Sequence, residues 1–265
     1  MAERIYPALV AARLRGQASY RLSFALDLVA QVIAQSLELV VILVLFSRVD
    51  ALGGFSVREV LVMYAIAGVA FGFADLTAGQ LDDLPNYVRS GTFDAILLRP
   101  LGSLPQLMVS DIRLRRLGRV LAALVVYGYA LATAGVHWTP WTVLLAVTAP
   151  LVGAVIFGAI WVVAATVSFW LVDSRELANS VTYGGSAFTS YPITVFSGWL
   201  RRLFAFVVPG AFVAYYPSLA LLGRPDPLGA PGWVSWISPL VAVASAAVAG
   251  VLWRFAVRHY RGTGS

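Results

Sequence analysis

The stretch of sequence that decides the fold is TVLLAVTAPLVGAVIFGAIWVVAATVSFWLV, residues 142–172, which contains no charged side chain. A helix needs about 20 consecutive, mostly apolar residues to cross the hydrocarbon core of a bilayer, where every backbone polar group must be bonded within the segment. This run exceeds that length, and its only proline, Pro150, lies near its start. The run therefore predicts a transmembrane α-helix.

Five further apolar segments of spanning length lie around it, at about residues 24–46, 57–79, 117–136, 177–200 and 234–255. The composition agrees, because 60% of the residues are hydrophobic, 12% are charged and the mean hydropathy is +0.81. A soluble domain averages about 45–50% apolar and about 25% charged residues. We therefore predict an all-α integral membrane protein: one transmembrane domain over residues 1–265 with six transmembrane helices.

The residue types that are absent exclude several functions. The chain has no lysine and no cysteine, and its only histidines are His137 and His259. Without lysine there is no Walker A loop and no Schiff-base enzyme, and without cysteine there is no disulfide and no thiolate catalysis. The arginines lie between apolar runs instead of forming a basic patch, so nucleic acid is not expected as a partner. We expect no catalytic residue, no metal and no cofactor in this chain.

The arginines predict the orientation, because cytoplasmic loops of membrane proteins are enriched in basic residues. With the N-terminus inside, fourteen of the 19 arginines face the cytoplasm and five face outward. This count predicts a multi-pass protein of the cell (plasma or inner) membrane with both termini cytoplasmic. Residues 5–22 separate apolar side chains from arginines, which predicts an interfacial elbow helix before the first span.

Residues 203–222 are apolar enough for a seventh span, but Pro209, Gly210 and Pro217 interrupt them. Only Arg201 and Arg202 separate this run from the fifth span, too short a turn for two full antiparallel crossings. An odd number of spans would also place the arginines near the C-terminus outside. We interpret the run as a re-entrant or interfacial hairpin on the outer side, between the fifth and sixth spans.

Two polar stripes lie inside predicted spans. The first span carries polar side chains at helical spacing on one narrow face: Asp27, Gln31, Gln35 and Glu38. The fifth span carries a series of hydroxyl side chains: Thr182, Ser186, Thr189, Ser190 and Thr194. Ionisable groups in hydrocarbon are costly and face protein or water. Two interpretations stay open, namely helix packing within or between subunits and direct contact with a substrate along a translocation path.

The longest polar segment, residues 80–116, lies between the second and third spans on the predicted cytoplasmic side. Its centre predicts a short helix with an exposed apolar face formed by Phe93, Ile96, Leu97 and Leu101. Such a face indicates a docking element for a soluble partner. The alternative is a helix that lies on the membrane surface, since arginines flank it. Asp75, near the inner end of the second span, is expected to meet water or groups near Arg89.

The run Gly91-x-x-Asp94-x-x-Leu97-Leu98-Arg99-Pro100-Leu101, followed by Gln106, resembles the cytoplasmic signature of permease subunits of export-type ABC transporters, the ABC type-2 permease family. A later series resembles the outer segment of the same permeases: Tyr191-Pro192, Trp199-Leu200-Arg201-Arg202, Pro209, Tyr216-Pro217 and Leu221-Leu222-Gly223. The resemblance extends over essentially the whole chain.

The resemblance implies a permease that pairs with a second permease, identical or homologous, and with two copies of a cytoplasmic ATP-binding subunit that bind ATP and Mg. It also implies that residues 88–101 are the main coupling element to that ATPase, with a second contact near residues 173–176. The residues expected to couple are Gly91, Phe93, Asp94, Leu97, Leu98, Arg99, Pro100, Asp173, Arg175 and Glu176.

The sequence thus predicts half of an ATP-driven exporter that is not itself an enzyme, since without a P-loop the ATP must be hydrolysed by a separate subunit. An alternative is an ion-coupled secondary transporter or channel that uses Asp27, Glu38 and Asp75. A membrane-embedded enzyme acting on lipid ranks last, because no cluster of His, Asp or Ser lies at a membrane face beyond Asp82 and Asp83. The transported substrate stays open.

Overall fold

A computed structural model describes residues 21–110, 115–171, 175–204 and 208–260, and within these ranges the regular elements are helical. The α-helices are α1 (Arg21–Phe46), α2 (Val57–Ala78), α3 (Leu84–Arg89), α4 (Thr92–Leu97), α5 (Ser103–Ser110), α6 (Arg115–Thr133), α7 (Pro140–Thr166), α8 (Arg175–Thr189), α9 (Gly198–Arg202), α10 (Tyr215–Leu222) and α11 (Ser238–His259). Short 3-10 turns join several of them: Gly79–Asp83, Val167–Phe169, Ile193–Val195, Gly210–Phe212 and Gly232–Trp236.

Five described helical segments are long and apolar enough to cross a membrane: Val29–Phe46, Val57–Arg89, Arg116–Thr133, Pro140–Phe169 and Ser238–His259. They coincide with the predicted spans at 24–46, 57–79, 117–136, 142–172 and 234–255. The all-helical class is confirmed, and so are these five apolar helices. The elbow helix at residues 5–22 lies almost entirely outside the described residues.

The expectation of one continuous helix over 177–200 is wrong. Helix α8 ends at Thr189 after 15 residues, followed by a 3-10 turn and the short α9. A 15-residue helix is about 22 Å long, less than the roughly 30 Å hydrocarbon core. Pro192 causes the break, because proline lacks an N–H and disfavours helical geometry at Tyr191 before it. The sixth crossing therefore stays a prediction.

The long helices begin where local sequence provides acceptors for their free N–H groups. At the start of α2, the Ser56 N–H donates to Glu59 Oε2 at 2.7 Å. At the start of α7, the Thr142 N–H donates to Thr139 Oγ1 at 3.2 Å, and Pro140 occupies the first turn, where no backbone donor is needed. These caps fix the points at which both helices begin.

Helix α2 is the centre of the bundle, because 78% of its spanning window is buried. It packs against α6 and α7, and α7 packs against α11. The backbones of α2 and α7 approach closely at Gly153, where a Cβ would lie 2.8 Å from the Ala70 Cβ. Helix α1 lies at the outside, with only 6% of its window buried, and contacts α6 more than any other helix.

The predicted outer hairpin is irregular and packed within the bundle. After residues 205–207, which are not described, the chain forms the 3-10 turn Gly210–Phe212 and then α10. Phe212, Tyr215 and Leu219 are buried, and α10 contacts α2 and α7. At membrane depth, an interrupted backbone must be surrounded by protein that satisfies its polar groups. The burial of this segment agrees with that requirement, and a re-entrant course stays a prediction.

Candidate functional site

A cavity of about 220 Å³ lies between α1, α2, α6 and α8. Its lining residues are Gln31, Ala34, Gln35 and Glu38 of α1, Tyr64, Ala67, Gly68 and Phe71 of α2, Arg119 of α6, and Tyr183, Ser186 and Ser190 at α8. Part of each polar stripe predicted from the sequence therefore reaches one shared space.

The other stripe residues lie elsewhere. Thr182 and Thr189 are buried, and their hydroxyls donate to carbonyls of their own helix, at 3.0 Å to Ala178 and 2.8 Å to Ser186. The Thr194 hydroxyl donates to the Gly53 carbonyl at 2.8 Å. The side chain of Asp27 lies outside the described residues. These threonines hold the backbone in place and do not face the cavity.

Tyr64 organises the wall that α1 and α2 share. Its hydroxyl donates to Glu38 Oε2 at 3.0 Å and accepts from the Gln35 side-chain amide. None of the described cations lies within salt-bridge distance of Glu38, and its side chain is exposed. Within the described residues, the Glu38 carboxylate thus faces the cavity with the Tyr64 hydroxyl as its hydrogen-bonding partner.

A buried ion-pair cluster adjoins the cavity. Asp75 is only 5% exposed, and its two oxygens lie 3.0 Å from Arg116 Nε and 3.1 Å from Arg119 Nη1. Arg116 also donates to the Gln80 side-chain oxygen, and the Gln80 amide donates to the Met108 carbonyl at 2.8 Å. The expectation that Asp75 meets water or groups near Arg89 is therefore wrong. Instead, α6 supplies the counter-charges.

The cluster needs a glycine beside it. A Cβ at Gly79 would lie 2.3 Å from Asp75 Oδ1 and 2.8 Å from the Arg116 guanidinium. The sequence did carry a signal for this pairing, because Arg116 and Arg119 are three positions apart and so share a face at the start of an apolar helix. From the sequence, these arginines predicted only the orientation of the chain.

A second polar junction ties α8 to α7 and to the turn that follows α2. The Trp161 indole N–H donates to Asp82 Oδ1 at 2.6 Å, and the Tyr183 hydroxyl donates to Asp82 Oδ2 at 3.1 Å. Arg175 Nη2 lies 3.4 Å from Asp83 Oδ1. Since Tyr183 also lines the cavity, its wall is connected to the segment that follows α2.

The predicted coupling element is a short helix on a rigid base. Gly91 precedes α4 with φ +68°, a left-handed conformation that favours glycine. Phe93 is fully buried, with its ring centroid 5.1 Å from that of Phe169 and 5.2 Å from that of Tyr260. The prediction that this apolar face is exposed is therefore wrong in part, because Phe93 and Ile96 are buried within the chain.

The exposed part of this element is residues 97–100. Leu98 is 87% exposed and Leu97 is 39% exposed, and Arg99 and Pro100 are also exposed. The Gln106 amide donates to the Leu101 carbonyl at 2.9 Å, which fixes the turn behind them. Arg175 and Glu176 are exposed as well, whereas Asp173 lies outside the described residues.

Contacts at the base of this element join α4, α5 and α11. Burial in the aromatic cluster raises the pKa of Tyr260, and the Asp94 carboxylate adds to the increase. The Trp253 indole N–H donates to Ser103 Oγ at 3.1 Å. Helices α4, α5 and α11 are therefore held together as one platform.

Among the residues that the structure describes, no group of three or more His, Cys, Asp or Glu side chains could hold a metal ion. The comparisons with known proteins give one finding. The family model described as "ABC-2 family transporter protein" matches residues 32–264. No curated protein and no solved structure matches the chain. Because that match extends over most of the sequence and all five membrane-length helices, this chain belongs to the ABC-2 transporter family of multi-pass membrane proteins.

Proposed function

We propose that this chain is the permease subunit of an ATP-driven ABC exporter of the cell membrane, with both termini in the cytoplasm. Family membership supports a transport role. The observation that carries the coupling assignment is the segment at residues 91–101, which buries Phe93 in the platform and leaves Leu98 almost fully exposed. A rigid base with an exposed leucine at its tip suits docking into a groove of a soluble protein.

The proposed partners are two copies of a cytoplasmic ATP-binding subunit, which hold ATP and Mg, and a second permease, identical or homologous. The second permease is supported by α1, of which only 6% of the spanning window is buried. An exposed Glu38 in such a helix would be costly against lipid alone. We propose that the cavity between α1 and α8 belongs to the translocation path that two permeases complete.

Ion-coupled transport is less well supported. It would use Asp27, Glu38 and Asp75, but Asp75 is already neutralised by Arg116 and Arg119. Transport that continues without the ATPase and stops when the ion gradient is dissipated would favour this alternative.

The test is co-purification of the chain with its candidate ATPase, followed by measurement of ATP hydrolysis. We expect Leu98→Asp to lower both the amount of ATPase retained and the hydrolysis rate at least several-fold. The matched control is Leu228→Asp, which changes an exposed leucine in the loop between α10 and α11, on the predicted outer side. If no ATPase associates with the wild-type chain, the proposed function is wrong. If Leu98→Asp behaves like Leu228→Asp, the coupling assignment is wrong.

A further inference from the structure

The cavity between α1, α2, α6 and α8 has two charged lining residues, Glu38 and Arg119. Their situations differ. Arg119 lies 3.1 Å from Asp75, and its side chain is 26% exposed. Glu38 has the Tyr64 hydroxyl as its hydrogen-bonding partner and no described cation within salt-bridge distance. Among the described residues, the positive group therefore has a counter-charge, whereas the negative group has none.

The described groups behind Arg119 pair opposite charges. The Asp75 carboxylate lies against the guanidinium groups of Arg116 and Arg119. The oxygens of Asp82 accept from Trp161 and Tyr183, so this carboxylate is also hydrogen-bonded. Farther along, Arg175 faces Asp83. Within the described part of the cavity lining, the carboxylate of Glu38 is thus the charge left without a counter-ion.

The uncharged walls are aromatic or hydrogen-bonding. Phe71 and Tyr183 have ring centroids 5.5 Å apart, and Tyr64 lies beside Glu38. Aromatic rings attract cations through their faces. The Ser186 and Ser190 hydroxyls donate to carbonyls of their own chain, at 2.6 Å to Tyr183 and 3.0 Å to Ser186, which leaves their oxygens as acceptors toward the cavity. Hydroxyl oxygens and aromatic rings therefore line the cavity that Glu38 faces, and the Phe71 ring already meets the Arg119 guanidinium, 5.3 Å from its centroid.

We propose that this cavity binds the protonated amine of an amphipathic organic cation, with Glu38 as its counter-ion. The inference rests on the proposed export function and deepens it by naming the substrate class. The volume of about 220 Å³ holds an ammonium group with an aromatic or short aliphatic body. An anionic molecule meets the unpaired carboxylate and is repelled, and a neutral analogue loses the charge-assisted hydrogen bond.

The test uses equilibrium dialysis to measure the affinity of the purified full-length chain for three probes. The chain is held in neutral detergent micelles, without any ATPase. The probes share one aromatic body: (naphthylmethyl)ammonium, naphthylmethanol and naphthylacetate. We expect the ammonium probe to bind at least about tenfold more tightly than the other two, since hydrogen bonds to charged groups contribute that much or more. Glu38→Gln removes this preference, and Glu38→Asp retains most of it.

The control is Asp50→Asn, which neutralises an exposed carboxylate in the loop after α1 and should leave all three affinities unchanged. Equal binding of the three probes to the wild-type chain, or an ammonium preference that survives Glu38→Gln, overturns the proposal. A Glu38→Gln variant that binds the ammonium probe as before but no longer associates with a second permease also overturns the proposal. In that case Glu38 serves the subunit interface. Since no ATPase is present, a failure of the export function does not alter this readout.

Discussion

Replacing Asp75 by asparagine tests whether the ion-pair cluster is an essential part of the fold. The substitution keeps the shape of the side chain and removes the charge that neutralises Arg116 and Arg119, whose guanidinium groups lie 3.0 and 3.1 Å from it. The side chain of Arg116 is 9% exposed, so the stranded cation has little access to water. We therefore expect a large loss of stability.

The magnitude follows from the burial of each partner. Removing one member of a buried ion pair costs about 3–5 kcal/mol, because an uncompensated charge is left behind. The lower end of this range applies here, since Arg116 keeps its hydrogen bond to Gln80 and Arg119 borders the cavity instead of being fully enclosed. A loss of about 3 kcal/mol corresponds to a melting temperature lower by about 6–12 °C, by the scaling for globular chains of similar size.

The assay is thermal unfolding of the purified chain in neutral detergent, followed by tryptophan fluorescence, with Asp50→Asn as the matched control. The double variant Asp75→Asn with Arg116→Gln removes the more buried of the two stranded charges. It should be more stable than the sum of the two single effects by at least about 1 kcal/mol. A melting temperature of Asp75→Asn equal to that of Asp50→Asn would refute the reasoning, as would strict additivity in the double variant.

Two further predictions compare matched positions by the same melting assay. Phe93→Ala should lower the free energy of unfolding by about 3–5 kcal/mol, because a fully buried ring is removed. Leu98→Ala should change it by less than about 0.5 kcal/mol, because Leu98 is exposed. Similar losses at both positions would contradict the platform. Gly153→Ala should destabilise the fold by about 1–3 kcal/mol, because the added methyl group would lie too close to Ala70. At Gly158 the added methyl group meets nothing within 4 Å, so Gly158→Ala should stabilise the helix by up to about 1 kcal/mol. The same sign at both glycines would argue against the close approach of α2 and α7.

The long apolar helices were predictable because membrane solvation leaves a strong signal in the sequence. The run at residues 142–172 contains no charge, and the structure forms α7 and a 3-10 turn over nearly the same range. The end of α8 was harder to predict. The apolar character of the sequence continues past Tyr191, but Pro192 disfavours a helical backbone at the residue before it. This local geometric effect outweighs the average hydropathy of the segment.

The polar residues were only half predictable. Periodicity placed Asp27, Gln31, Gln35 and Glu38 on one face, and in the structure the last three line one cavity. Their part in a translocation path stays a prediction. Periodicity does not give the partner of a side chain on another helix, so the pairing of Asp75 with α6 was missed. For the same reason, Phe93 was assigned to an exposed face, although its partners Phe169 and Tyr260 are distant in sequence.

Helix α1 is attached to the bundle along one edge. It contacts α6 extensively and α2 only slightly, and apolar side chains such as Leu26, Ile33 and Leu37 are exposed around its circumference. On the side of the cavity, Tyr64 hydrogen-bonds to Gln35 and Glu38. A rod fixed along one edge can pivot about that edge once these few hydrogen bonds break. A change in the tilt of α1 would therefore change the width of the cavity and leave the contacts of α2 with α6 and α7 in place.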